Sequence, residues 1–386
     1  MSARLSAFEN HLPRHVITRR GASQSLVPIC EAHGWQRLFL LSDAGVARAG
    51  LMQKVSQPLI AAQLLVDTFT DVAPEPPINV VDTIASRIKA CGADAVIAVG
   101  GGSVMDAAKV ASLCARHGKS AREFVGIGKA GARGLPTVLI PTTAGTGSEA
   151  TFVAILTDPF TDNKVAVLDP ALLADVAIVD PELTDDLPAH VTAAAGMDAM
   201  VHAIEGYIAK VATPLARGVA VEAARRIGRA LEVACREPHN KAARDDMAIG
   251  AHLAGMAFAN STCCAVHALA LPLGGRFHIP HGVITGSFAG EMMRHNAPAC
   301  ADDLAAMGVA FGWGVLSGED FAGKLDALAE RIGLRAQLRN TVVPDRTIAA
   351  MARDAVAIRR LIDPNPRDVT EEDAERMYRA VLAVRK

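Results

Sequence analysis

"AVIAVGGGSVMDAAK", residues 95–109, is the stretch on which the fold turns. An apolar run without alternation leads into Gly100, Gly101 and Gly102, and a helical pattern begins near Ser103. Such a run reads as a strand buried on both faces, the kind found in parallel sheets covered by helices. Glycines lack β-carbons, so their backbone can approach a pyrophosphate closely, and the helix that follows offers free N–H groups and the positive end of its dipole. The segment therefore predicts a phosphate cradle at the carboxyl end of a strand, where open α/β sheets bind ligands. It matches neither G-x-G-x-x-G nor G-x-x-x-x-G-K-[ST], and without a ligand the same residues would form a tight strand-to-helix turn.

Outward from this segment, "RLFLLSD" (37–43), "PTVLIPTT" (136–143) and "VAIVDPEL" (176–183) read as further buried strands, each running into a turn or a helix. Strands at helical spacing predict an α/β fold, a parallel sheet with helices on both faces. After "TDDLPAHVTAAAGMDAM" the strand-like runs fade and alanine-rich helical periodicity persists to Lys386. A boundary near Leu187 and Pro188 follows, with an α/β domain over 1–187 and an all-helical domain over 188–386. The helical half is broken at "CREPHN", "GWGVLSGED" and "LIDPNPRD".

Bulk properties narrow the function. A chain of 386 residues is long enough for two cores. Its formal net charge is -2, and the basic residues form no stripe, which argues against a nucleic-acid partner and toward small-molecule work. The seven cysteines are odd in number and include no C-x-x-C pair, so neither a disulfide framework nor a thiolate zinc site is expected, and a cytoplasmic setting is. The opening 21 residues contain no apolar leader segment. From Met247 to Gly275 no Asp, Glu, Lys or Arg occurs, long enough to span a bilayer, but His252, Asn260, His267 and Pro272 interrupt the run. It reads as buried helix in a domain that does not enter membranes.

Two further groups carry chemistry. "PTTAGTGSEAT" (141–151) is a second glycine loop after an apolar strand, and its Thr142, Thr143 and Thr146 place hydroxyls beside glycine backbone. Two such loops can clasp one nucleotide. Asp43 ends the first strand; a carboxylate there can accept from a ribose diol and repel a 2'-phosphate, favouring NAD over NADP, or it can cap a helix. In "GMDAMVHAIEGY" (196–207) Asp198 and His202 stand four apart on a helical pattern and share a face. A core histidine bonded to a helical carboxylate would show the same spacing. In "HALALPLGGRFHIPHG" (267–282), His267 and His281 flank a Pro-Gly-Gly break, and one oxygen with three imidazoles would suit Fe(II) or Zn(II).

Taken together, Gly-Gly-Gly-Ser with Asp106 and Lys109, "PTTAGTGSE", "GMDAMVHAIE", "HALALPLGG" with "IPHG", and "NPR" at 365–367 resemble the iron-containing (group III) alcohol dehydrogenases. The motifs fall in the family's order along nearly the whole chain. The resemblance implies a dehydroquinate synthase-like architecture, with an NAD(P)-binding α/β domain, a helical metal-binding domain and the active site in the cleft between them. It implies a metal-dependent, NAD(P)-linked alcohol dehydrogenase or aldehyde reductase acting on a small alcohol, as a homodimer or higher homo-oligomer. The family's metal ligands carry over to Asp198, His202, His267 and His281. Its cofactor contacts carry over to Asp43, Gly101, Gly102, Ser103, Asp106, Thr142, Thr143, Thr146 and Lys164, and Phe258 matches a position lining the substrate pocket.

Departures mark this chain. Many members have a histidine where this sequence has Leu271, proposed to move a proton, and a frequent asparagine is here Glu75. With leucine at 271, the proton's exit is expected by water, by a ribose hydroxyl or by His278. Cys263 and Cys264 read as small buried packing residues. Glycerol dehydrogenases and maleylacetate reductases share the architecture, and the strings "TTAGTGSE" and "GMDAMVHAIEG" favour the alcohol dehydrogenase branch. The reading from another class is a degraded nucleotide-binding protein without turnover, for which Leu271 is the support.

Overall fold

The computed structural model describes residues 8–160, 163–338 and 341–385; the start expected to lack a leader lies outside the described residues over 1–7. Six parallel strands form the central sheet in the order His15–Thr18, Val176–Val179, Thr137–Pro141, Ala95–Gly100, Leu38–Leu41, Leu65–Phe69. The four inner strands are buried along their whole length, as their unbroken apolar sequences require. The alternation of side chains sends Phe39, Leu41, Val96, Ala98 and Leu139 into one core and Leu38, Leu40, Ile97, Val99 and Ile140 into another. Each such Leu, Ile or Val contributes about 1.5–3 kcal/mol by leaving water.

A smaller sheet, Gly126–Ile127, Lys164–Leu168 and Val153–Thr157 in that order, pairs its last two strands antiparallel and carries Lys164 toward the end of the main sheet that bears the glycine turns. From Ala189 onward long helices take over. Pro188 precedes Ala189–Ile208, a helix buried on most of its circumference and packed against Pro214–Arg236, Lys241–Ala259 and His281–Ala310. Gly196 permits this: a β-carbon there would lie 2.3 Å from Leu231 Cδ1. The helical half is not wholly helical, because Val342–Pro344 pairs in parallel with Ala383–Arg385, two runs too short to show a strand pattern. The uncharged stretch 247–275 is two helices, Lys241–Ala259 and Ala265–Phe277, joined by a turn, and no described helix is long and apolar enough to cross a membrane.

The loop after Thr137–Pro141 docks on the helical half. Gly147, at φ 59°, meets Gly255 so closely that a β-carbon on Gly255 would sit 2.6 Å from the Gly147 carbonyl oxygen. Beside this contact the buried Glu149 carboxylate pairs with His252 Nδ1 at 3.0 Å. Arg20, from the α/β half, holds Asp185 at 2.9 Å and Asp245 at 2.7 Å.

Candidate active site

The helix Ala189–Ile208 presents Asp198 and His202 one turn apart, the helix Ala265–Phe277 contributes His267, and His281 opens the helix His281–Ala310. Asp198 Oδ1 lies 3.7 Å from His267 Nε2 and 3.7 Å from His281 Nε2, while Oδ2 lies 3.9 Å from His202 Nε2. The His202 and His267 rings stack at 4.7 Å, and His267 and His281 stand 5.3 Å apart. Gly282 allows the approach: a β-carbon on it would fall 2.1 Å from the Ala194 carbonyl oxygen.

A second layer fixes these groups. Thr285 Oγ1 donates to Asp198 Oδ1 at 2.9 Å. Glu205, fully buried, pairs with His267 Nδ1 at 2.6 Å and accepts from the backbone N–H groups of Cys264 and Val266, each at 2.8 Å. A carboxylate at Nδ1 makes that nitrogen the donor and turns Nε2 toward Asp198. His267 Nε2 and His202 Nδ1 are buried without a hydrogen-bond partner. Burial alone would push the Asp198 carboxyl up, but the His202, His281 and His267 imidazoles outweigh it and hold the group below the ordinary range. Burial, with the neighbouring imidazoles and the Lys164 ammonium, pushes His281 down to about 3, so it is neutral near pH 7. Burial keeps His281 neutral, whereas against that same burial Asp198 raises His202, and Cys263 and Glu205 raise His267. An ionised carboxylate beside three imidazoles in one buried group fits a divalent cation, which would take the place of the protons these anionic groups favour on His202 and His267.

A cavity of about 270 Å³ joins this cluster to the glycine turn. Gly102, Ser103, Thr146 and Lys164 line it at one end and Asp198, His202, His267 and His281 at the other. At the turn, a β-carbon on Gly102 would come 2.9 Å from Thr146 Cγ2, whereas one on Gly101 would make only ordinary contact with Thr143, so the threonine side chains of the second loop pack against the bare glycine backbone of the first. That geometry and the first turn of the helix Gly102–His117 fit a nucleotide phosphate. Apolar walls come from Phe152, Phe258, Leu271 and Leu361, and Phe258 stacks on His202 at 4.4 Å.

Other expected residues fall elsewhere. Asp43 caps the helix Ala44–Arg48, accepting from Gly45 N at 2.7 Å and Val46 N at 2.9 Å through one oxygen, and is not among the lining residues. Thr142 is buried, its N–H donating to the Gly100 carbonyl at 3.0 Å; neither it, Thr143 nor Gly101 lines the cavity. Asp106 does line it, but both its oxygens already hold protein groups: Ser148 Oγ at 2.6 Å and the Ile155 N–H at 2.9 Å. The buried Lys109 ammonium completes that network on Ser148, Thr151 and the Val153 carbonyl. Asp106 thus braces the loop. His278 is exposed at φ 52°, ending the helix Ala265–Phe277, and stands outside the cavity, so the structure does not bring it to the cluster.

Several lining or supporting residues escape the sequence reading. Glu205 sits inside the quoted "GMDAMVHAIEGY", yet its partners come from a distant helix. Glu75, marked as a departure, forms an ion pair with Lys164 in the cavity wall. Cys263, read as packing, lies beside His202 and His267: burial would push its thiol up, but the two imidazoles hold it below the ordinary value. Arg360 lines the cavity with no hydrogen bond or ion pair found among the described residues.

Residues 13–181 match the family model for iron-containing alcohol dehydrogenase and residues 192–382 match the model for the C-terminal part of the Fe-containing alcohol dehydrogenase family. The long-chain-alcohol dehydrogenase 1 of Geobacillus thermodenitrificans is 37% identical over 372 residues, covering 94% of each chain. Among solved structures, a 1,3-propanediol oxidoreductase superposes with a TM-score of 0.90 at 31% identity, covering 98% of this chain and 100% of that one. A sulfoacetaldehyde reductase from Bifidobacterium kashiwanohense, solved in complex with NAD+, superposes with a TM-score of 0.87 at 30% identity over 97% of this chain and 99% of that one.

Proposed function

The chain belongs to the iron-containing alcohol dehydrogenase family, and from that premise we propose that it is a metal-dependent, NAD-linked enzyme whose ion rests on Asp198, His202, His267 and His281. Its activity is that of an alcohol dehydrogenase or aldehyde reductase. The observation that carries the finer reading is the single cavity running from the glycine turn to the Asp–His cluster.

In this reading Gly102, Ser103, Thr146 and Lys164, which line the cavity, would hold the nicotinamide nucleotide, and Gly101, Thr142, Thr143 and Asp43 would contribute from beside it. When bound, the ion would supply Lewis acidity toward the alcohol oxygen and the nicotinamide would supply the redox chemistry. Glu205 keeps His267 Nε2 directed at the cluster, and Thr285 orients Asp198. Phe152, Phe258 and Leu271 exclude water from around the carbinol carbon and favour an alcohol with an apolar chain. With leucine at 271 and His278 outside the cavity, the alcohol proton leaves to water or through a ribose hydroxyl.

We further propose the division at 187 and 188, a homo-oligomer and a cytoplasmic setting. Iron and zinc are both compatible with one carboxylate and three imidazoles. The test is a panel of short primary alcohols, diols, glycerol and hydroxy acids with their aldehydes, run with NAD and NADP on protein stripped and reloaded with Fe(II) or Zn(II). The expected outcome is alcohol-dependent NADH formation that disappears on stripping and in Asp198→Asn. Background rates with every alcohol in metal-loaded protein would overturn the reading, and a preference for glycerol or for an oxo acid would move it to the related branches.

A further inference from the structure

Among the described residues, the donor atoms that are all mutually close fall into groups of three within and beside the Asp–His cluster. They form two triads that share His267: Asp198, His267 and His281 in one, and His202, Cys263 and His267 in the other. Within each triad all the donor atoms lie within 4.8 Å of one another. His202 thus enters such a group only in company with a thiol. Cys263 stands four residues before His267, in the turn between the helices Lys241–Ala259 and Ala265–Phe277. It is buried and lines the same cavity as the four expected ligands.

Two nitrogens in that group have no oxygen or nitrogen partner, and the Cys263 thiol is the polar group beside both rings. His202 and His267 are 4% and 6% exposed, and one nitrogen of each, Nδ1 and Nε2 respectively, has no hydrogen-bond partner. Leaving such groups unsatisfied costs about 1–3 kcal/mol apiece, so a fold that keeps two together has a use for them. Cys264, the neighbouring thiol, differs: its sulfur is 3.9 Å from the Glu205 carbonyl oxygen and it does not line the cavity.

We propose that Cys263 is a sulfur donor to the ion held by the Asp–His cluster, giving this chain a mixed nitrogen, oxygen and sulfur site that favours Zn(II) over Fe(II). The inference rests on the metal reading above and adds a ligand and a choice of metal to it. A metal–sulfur bond forms, the S–H bond breaks, its proton passes to water in the cavity, and no electrons change hands. A thiolate is a softer donor than imidazole or carboxylate and shifts selection toward zinc.

Substitution with Co(II) in the full-length protein tests this, because a cobalt–thiolate bond has an intense near-ultraviolet charge-transfer absorption that imidazole and carboxylate ligands lack. The native chain and Cys264→Ser should show the band. Cys263→Ser and Cys263→Ala should lose it while keeping the visible cobalt bands, and Zn(II) affinity relative to Fe(II) should fall about tenfold or more in both. Two variants guard against a folding defect in either, with circular dichroism as the check. A native cobalt protein with visible bands but no sulfur band, or a band that survives in Cys263→Ser, overturns the sulfur inference and leaves the proposed function standing. Failure of the native chain to bind Co(II) at all overturns both.

Discussion

Glu205 concentrates the residue-scale logic of the site. One buried carboxylate orients His267 and satisfies two backbone N–H groups at the start of the helix that carries it, so it sets both the ring and the helix end. Glu205→Gln keeps the size and removes the charge that makes His267 Nδ1 the donor. We expect metal affinity to drop roughly 10–100-fold, measured by competition with a chromogenic chelator, with little change in circular dichroism. At this scale the sequence was informative where partners share an element. Asp198 and His202 are legible because a helix returns to the same face every fourth residue. Glu205 and Cys263 are not, since their neighbours arrive on a different helix, and composition alone makes a thiol in a run of small residues look like filler. Asp43 is the converse case: its position at a strand end suited a ribose and a helix cap equally, and the structure records the cap.

Between elements, the site depends on backbones that touch. The helix His281–Ala310 approaches Ala189–Ile208 at Gly282, and no side chain of any size fits there. Gly282→Ala forces the helices apart by the space of a methyl group, at a cost of about 1–3 kcal/mol, and draws His281 from Asp198. The expected result is a lower melting temperature together with weaker metal binding, whereas Gly218→Ala, whose β-carbon would meet nothing within 4 Å, should leave both in place. Element type was legible for the four inner strands because burial on both faces demands continuous apolar sequence. The flanking strands His15–Thr18 and Leu65–Phe69 escape that signal, being largely exposed or half-buried and free to carry His15 and Asp67. The pair Val342–Pro344 and Ala383–Arg385 escapes it through brevity.

At the scale of the whole molecule, the proposed metal donors sit on three helices, and any ligand that binds only the folded chain adds to its stability. Free metal a thousandfold above its dissociation constant adds about 4 kcal/mol. Chelation should therefore lower the melting temperature of the native protein in a way that depends on chelator concentration, and have no such effect on Asp198→Asn. An equal loss in both would assign the change to something other than this cluster. The broad division into a sheet half and a helical half was legible from the change in periodicity near residue 187, whereas the docking of the loop 141–151 on Gly255 was not, because glycine leaves no pattern.

The distribution of donors along the chain also has a consequence for synthesis. Asp198 and His202 leave the ribosome first, His267 follows, and His281 emerges last with the helix that it opens. A nascent chain ending before His281 holds the early donors on helices whose packing partner does not yet exist, so on the proposed metal reading loading of the ion awaits translation of nearly three-quarters of the polypeptide. Metal acquisition by the proposed site is thereby timed to the later part of the chain's own manufacture.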